Sequence, residues 1–142
     1  MLTTITSKTI TVETKINAPV EKVWKYWTLP EHICQWYQSS PEWHVPFAEN
    51  TLEVNGEFKI ILATKDEKVR LDFEGVYTHI HEYKKIEYVI NDGRNVRIAF
   101  LSQANITKIV EIFETENIHP PDMQRAEWQA ILDNFKEYTE SK

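Results

Sequence analysis

Between residues 57 and 114 apolar and polar side chains alternate in short runs, whereas on either side of that region apolar residues return every three or four positions. Alternation marks strands with one buried face, and recurrence at i, i+3, i+4, i+7 marks a one-faced helix. Phe58, Ile60 and Leu62 share one side of a strand over 57–64, and Leu71, Phe73, Gly75 and Tyr77 share one side of 69–82. Ile86, Tyr88 and Ile90 do so in 86–92, and Val96, Ile98 and Phe100 in 95–102. Strands are also predicted over 51–54 and 106–114, and the threonine-rich stretch 9–16 makes a seventh. Asn55-Gly56 and Asp92-Gly93 are hairpin-turn pairs, since these residues accept positive φ at little cost, and 65–68 is a polar connection of hairpin length.

Val20, Val23, Trp24 and Trp27 set a helix over 19–28, with Pro19 suited to its first turn and Glu21 to the positive end of its dipole. A second short helix covers 29–37, and 39–50 reads as loop in which Trp43, Pro46 and Phe47 would gate an internal space. After Pro120-Pro121-Asp122, a helix over 123–139 carries Trp128, Ile131, Leu132 and Phe135 on one stripe. The fold class is α+β: an antiparallel meander with one covered and one wet face, two short helices after the first strand, and a long C-terminal helix as the cover.

Size and charge narrow the function classes. A chain of 142 residues buries about 68–70% of its unfolded surface as one domain spanning 1–142. The net charge is −6, the basic residues are scattered, and nucleic acid is excluded as an expected partner. From Glu111 to Lys142 stand eight acids and three bases, so that end carries most of the excess. A lone Cys34, a start without a continuous apolar run and no membrane-length segment make a cytoplasmic location the expectation.

The order of elements resembles the helix-grip fold of the SRPBCC superfamily, which includes START lipid-transfer domains, pollen-allergen-like proteins and aromatase/cyclases. More narrowly, Asn17-Ala18-Pro19-Val20-Glu21-Lys22-Val23-Trp24 with Trp27-Thr28, then Pro30-Glu31-His32 and Trp36, resembles the opening motif of the proteins like activator of heat-shock protein 90 ATPase homologue 1. Phe73-Glu74-Gly75-Val76-Tyr77 resembles that family's mid-strand element, and Glu127-Trp128 through Leu132 its terminal helix. Departures fall in turns: Asn55-Gly56-Glu57 replaces a double glycine, and Asn105-Ile106-Thr107 a Gly-Thr pair. Ala18 stands where a capping Ser is frequent, a loss of about 0.5–2 kcal/mol at that helix end.

The resemblance implies a cavity between the curved sheet and the long helix that holds a small hydrophobic or amphipathic molecule without chemistry. Trp36, Phe58, Ile60, Phe73, Tyr77, Tyr88, Phe100, Trp128 and Leu132 are the expected lining, with Tyr77 and Tyr88 supplying polarity. The same aromatics would serve equally as core filler. A co-chaperone-like protein-interaction role, using the acidic C-terminal end, is the alternative; an aromatase/cyclase-type enzyme is the third reading. No catalytic residue, metal-ligand set or cofactor motif is assigned. His79 and His81 lie two apart, but His32, Cys34, His44 and His119 complete no recognised zinc spacing with them. Arg70, Asp72 and Glu74 read as a solvated strand face.

Overall fold

The alternating stretches become strands because each has one face to bury, and the helices supply the cover. The computed structural model describes residues 8–142; residues 1–7, the beginning of the N-terminal stretch read above, lie outside the described residues. Along the chain run β1 (Thr9–Ile16), α1 (Val20–Thr28), α2 (Pro30–Trp36), β2 (Trp43–Asn50), β3 (Glu57–Thr64), β4 (Arg70–His81), β5 (Lys85–Ile90), β6 (Asn95–Gln103), β7 (Ile106–Glu114) and α3 (Pro121–Ser141). The strands form one curled antiparallel sheet in the order β1-β7-β6-β5-β4-β3-β2. This is the α+β helix-grip architecture that the sequence predicts. Because β1 and β2 follow one another in the chain yet form opposite edges, α1 and α2 must carry the backbone across the concave face. There they bury Val20, Val23, Trp24, Trp27, Ile33 and Trp36.

Two local expectations are overturned. Residues 43–50, read as a gating loop, are the edge strand β2, hydrogen-bonded to β3. Pro46 disguises it, since proline cannot donate to a ladder; at a sheet edge that loss is tolerated, and a bulge between His44 and Phe47 absorbs the irregularity. Residues 51–54 are not a strand but the connection between β2 and β3, closed by Thr51 N–H donating to the Glu57 carbonyl and Gly56 N–H to that of Glu53. Only Asn55 (φ 70°) of the Asn55-Gly56 pair, and only Gly93 (φ 94°) of the Asp92-Gly93 pair, takes the left-handed conformation.

Long-range hydrogen bonds tie the helices to the sheet. The N-cap of α1 is Pro19, without a side-chain cap, and just before it the Ala18 carbonyl accepts from Thr107 Oγ1 at 2.9 Å. Helix α3 lies along β1: Arg125, Gln129 and Lys136 donate to the carbonyls of Thr11, Glu13 and Lys15, and Asn17 N–H donates to Glu140. These bonds occupy the outer edge of β1, the row of backbone groups that would otherwise pair with another chain.

Candidate functional site

Strands β3, β4 and β5 bring their inward residues into register beneath α1 and α2: Phe58 opposes Gly75, Ile60 opposes Phe73, and Tyr77 opposes Tyr88. A cavity of about 40 Å³ remains there, walled by Trp27, Thr28, Ile33, Trp36, Tyr37, Phe58, Ile60, Phe73, Tyr77, Ile86 and Tyr88. That volume holds a few water molecules, whereas sites for drug-sized ligands run to about 300–1,000 Å³. The walls are aromatic pairs. Phe58 meets Tyr88 edge-on at 4.9 Å between centroids and tilts against Tyr77 at 5.3 Å; Tyr37 stacks on Phe73 at 5.8 Å. Gly75 makes room for the Phe58 ring, since a Cβ at that position would stand 2.5 Å from it.

Six of the nine residues singled out from sequence, Trp36, Phe58, Ile60, Phe73, Tyr77 and Tyr88, are brought together in this wall. The other three lie elsewhere in the core. Phe100 packs between Trp24 and Trp27 (5.1 and 5.9 Å), Trp128 stacks on Phe113 at 3.9 Å with its edge toward Phe73, and Leu132 is fully enclosed. The cavity therefore lies between the sheet and the α1–α2 pair rather than under α3. Leu71, read as inward, is 54% exposed, because it lies beyond the helical cover at the end of β4.

The polar groups of the wall are arranged in two sets. Asn50 Nδ2 donates to the Thr28 carbonyl at 2.9 Å and to the Tyr77 hydroxyl at 3.2 Å, so edge strand, α1 and cavity wall share one amide. The Tyr37 and Tyr88 hydroxyls face one another, and both phenols are raised above their ordinary value, chiefly by burial and further by the carboxylate of Glu111. Glu111 itself is 5% exposed, and burial pushes its carboxyl up to about 8. Sequence reasoning missed Tyr37, Asn50 and Glu111. For Glu111 the signal was present: it falls in phase with Thr107, Ile109 and Phe113 along β7, all buried.

The remaining chemistry-bearing side chains stand apart from the cavity. His79 and His81 are exposed, and among the described residues no group of three His, Cys, Asp or Glu is placed to hold a metal ion. Cys34 is half-buried, and desolvation raises its thiol, which disfavours the nucleophilic thiolate. Asp72 and Glu74 pair with Lys59 on the wet face of the sheet. Among the described residues no helix is long and apolar enough to cross a membrane.

With the geometry in view, comparison with known proteins gives the family. A profile described as "Activator of Hsp90 ATPase homolog 1-like protein" matches residues 17–140. The chain belongs to that family. Among solved structures, the solution structure of an AHSA1-like protein from Aeromonas hydrophila is 36% identical, with TM-score 0.89 over 94% of this chain and 93% of that one. A protein from Cytophaga hutchinsonii is 50% identical, with TM-score 0.81 over 93% and 92%. A Chromobacterium violaceum protein at 18% identity and TM-score 0.84 shares the fold. No curated protein matches the sequence. The family's opening motif maps onto α1 and α2, the two helices that roof the cavity.

Proposed function

We propose that this family member binds a small apolar or amphipathic molecule, without transforming it, in the cavity between the α1–α2 pair and strands β3–β5. The observation that carries the reading is the convergence of eleven side chains, five of them Trp or Tyr, from two helices and three strands on one small cavity. A helix-grip fold of this family suits ligand-binding or co-chaperone-like domains in general, and the cavity favours the first.

At about 40 Å³ the cavity must widen to admit a ligand, and energetics permit this. Swinging Tyr37 outward gives up its aromatic pairs with Phe73 and Trp36, about 0.5–1.5 kcal/mol each beyond buried area, together with its contact to the Tyr88 hydroxyl. A ligand burying about 200 Å² of apolar surface gains about 5 kcal/mol in return. Tyr37 closes α2 just before the connection to β2, and with β2 held in the sheet, access runs past residues 37–42 rather than through 43–50.

Replacing Tyr77 or Tyr88 by Phe tests the assignment. Each change should weaken binding of a saturating small molecule about three- to tenfold, as expected for one hydrogen bond, while the thermal midpoint moves by only a few degrees. Unchanged affinity in both variants would contradict the placement of the site.

A further inference from the structure

Asn50 is the last residue of β2, and its side chain reaches across to the roof. Its Nδ2 lies 2.9 Å from the Thr28 carbonyl oxygen and 3.2 Å from the Tyr77 hydroxyl, and Thr28 and Tyr77 both line the cavity. A carbonyl oxygen only accepts, so the nearer contact fixes which end of the amide faces this pair. It is the nitrogen, and its two hydrogens go to the two oxygens. The Tyr77 hydroxyl is therefore an acceptor toward Asn50, and its own proton is directed elsewhere.

Among the described residues the bond from Asn50 is the one side-chain hydrogen bond that Tyr77 makes, so no protein group accepts its proton. Tyr77 is buried, and burial holds its phenol above the ordinary value, so the O–H stays intact. Two other polar wall residues have spent their donors: Thr28 Oγ1 donates to the Trp24 carbonyl at 2.8 Å and Trp36 Nε1 to that of Tyr26 at 2.9 Å. A buried donor is costly to leave unmatched, and the acceptor for this one falls to whatever fills the cavity. None of the wall residues is charged. An ammonium or carboxylate entering there would leave water without a counter-charge among them.

Resting on the ligand-binding reading above, we infer that Asn50 sets the polarity of the ligand: by occupying the acceptor side of the Tyr77 hydroxyl, it leaves the O–H to donate. The ligand class is then a neutral, largely apolar molecule with an acceptor oxygen, such as a ketone, ester or ether. A ligand that offers only an N–H or O–H has to compete with Asn50 for the Tyr77 oxygen. Tyr77 meets the ligand, and Asn50 is a positioning residue that acts through it.

Two matched pairs of probes test this. Acetophenone and cumene differ by an acceptor oxygen in place of a methyl group, and indole and indene by an N–H donor in place of a CH₂. The affinity ratio within each pair, measured by amide-shift titration at neutral pH for the wild type, Tyr77→Phe and Asn50→Asp, cancels any general loss of packing. Tyr77→Phe should lower the acetophenone-to-cumene ratio about three- to tenfold, the worth of one hydrogen bond, and leave the indole-to-indene ratio as it is. Asn50→Asp gives the Tyr77 proton an acceptor and frees the hydroxyl oxygen, so the first ratio should fall by a similar factor while the second rises. A merely structural role for Asn50 would not drive the two ratios in opposite directions. An unchanged acetophenone-to-cumene ratio in Tyr77→Phe, or both ratios moving together in Asn50→Asp, overturns this inference and leaves the cavity reading standing. Tyr77→Phe, which keeps the ring against Phe58, decides the matter if Asn50→Asp does not fold. Absence of saturable shifts at the wall residues with all four probes overturns both readings.

Discussion

Glu111 holds its proton in the folded chain to about pH 8, whereas an ordinary carboxyl in the unfolded chain releases it near 4.5. Below pH 4.5 both states are protonated and Glu111 adds nothing to the pH dependence. As pH rises toward 8 the unfolded state gains by ionising and the folded state does not, so stability falls through that window, by a few kcal/mol in all. The urea unfolding free energy of the wild type relative to Glu111→Gln should therefore decline from pH 4.5 to 8 and level off above it. A flat difference would show that the carboxyl is solvated. The comparison cancels His32, which burial holds below its usual value and which acts in the opposite sense as pH falls through 6.5. At this scale the sequence was half legible. Tyr77 and Tyr88 stand out as hydroxyls on apolar faces, and they do line the cavity. A glutamate is read by its charge as surface, so its phase with Ile109 and Phe113 on β7 was passed over; Asn50 was hidden because its strand was read as loop.

Among the elements, β4 is the most constrained by a single residue. A side chain at position 75 would stand 2.5 Å from the Phe58 ring and 2.6 Å from the Val89 carbonyl oxygen, and the second of these is backbone that cannot turn away. Gly75→Ala should lower stability by about 1–3 kcal/mol, the usual cost of overpacking, with near-wild-type far-ultraviolet circular dichroism. Unaltered stability would mean that β3 and β4 move apart freely at the cavity wall. Strands β3, β5, β6 and β7 were legible because they alternate and one face is largely buried. Strand β2 was not: its bulge breaks the alternation, and Pro46 contradicts strand propensity for a reason only the sheet order supplies, namely that β2 is an edge. Helix α1 was readable from its spacing, yet the bond from Thr107 that ties the segment before it to β7 spans 89 residues and has no local signature.

On the scale of the molecule, the chain divides its two helical layers between two tasks. Helix α3 lies over β1 and β7, seals the edge of β1 with side-chain donors and fills the core with Leu132 and Phe135, while α1 and α2 roof the cavity. That division explains why the reading from sequence placed the cavity under the long helix: two amphipathic stripes of equal spacing do not say which strands each covers. The most direct measurement of ligand binding in the roofed space is an amide-shift titration of the isotope-labelled protein against sterols, fatty acids, flavonoids and aromatic polyketides. Saturable shifts should cluster at Trp27, Trp36, Tyr37, Phe58, Phe73 and Tyr88, with smaller changes along α3. Shifts scattered over surface amides, with those six unmoved at saturating concentrations of every compound, would show that the aromatic cluster is solid core and would contradict the proposed function.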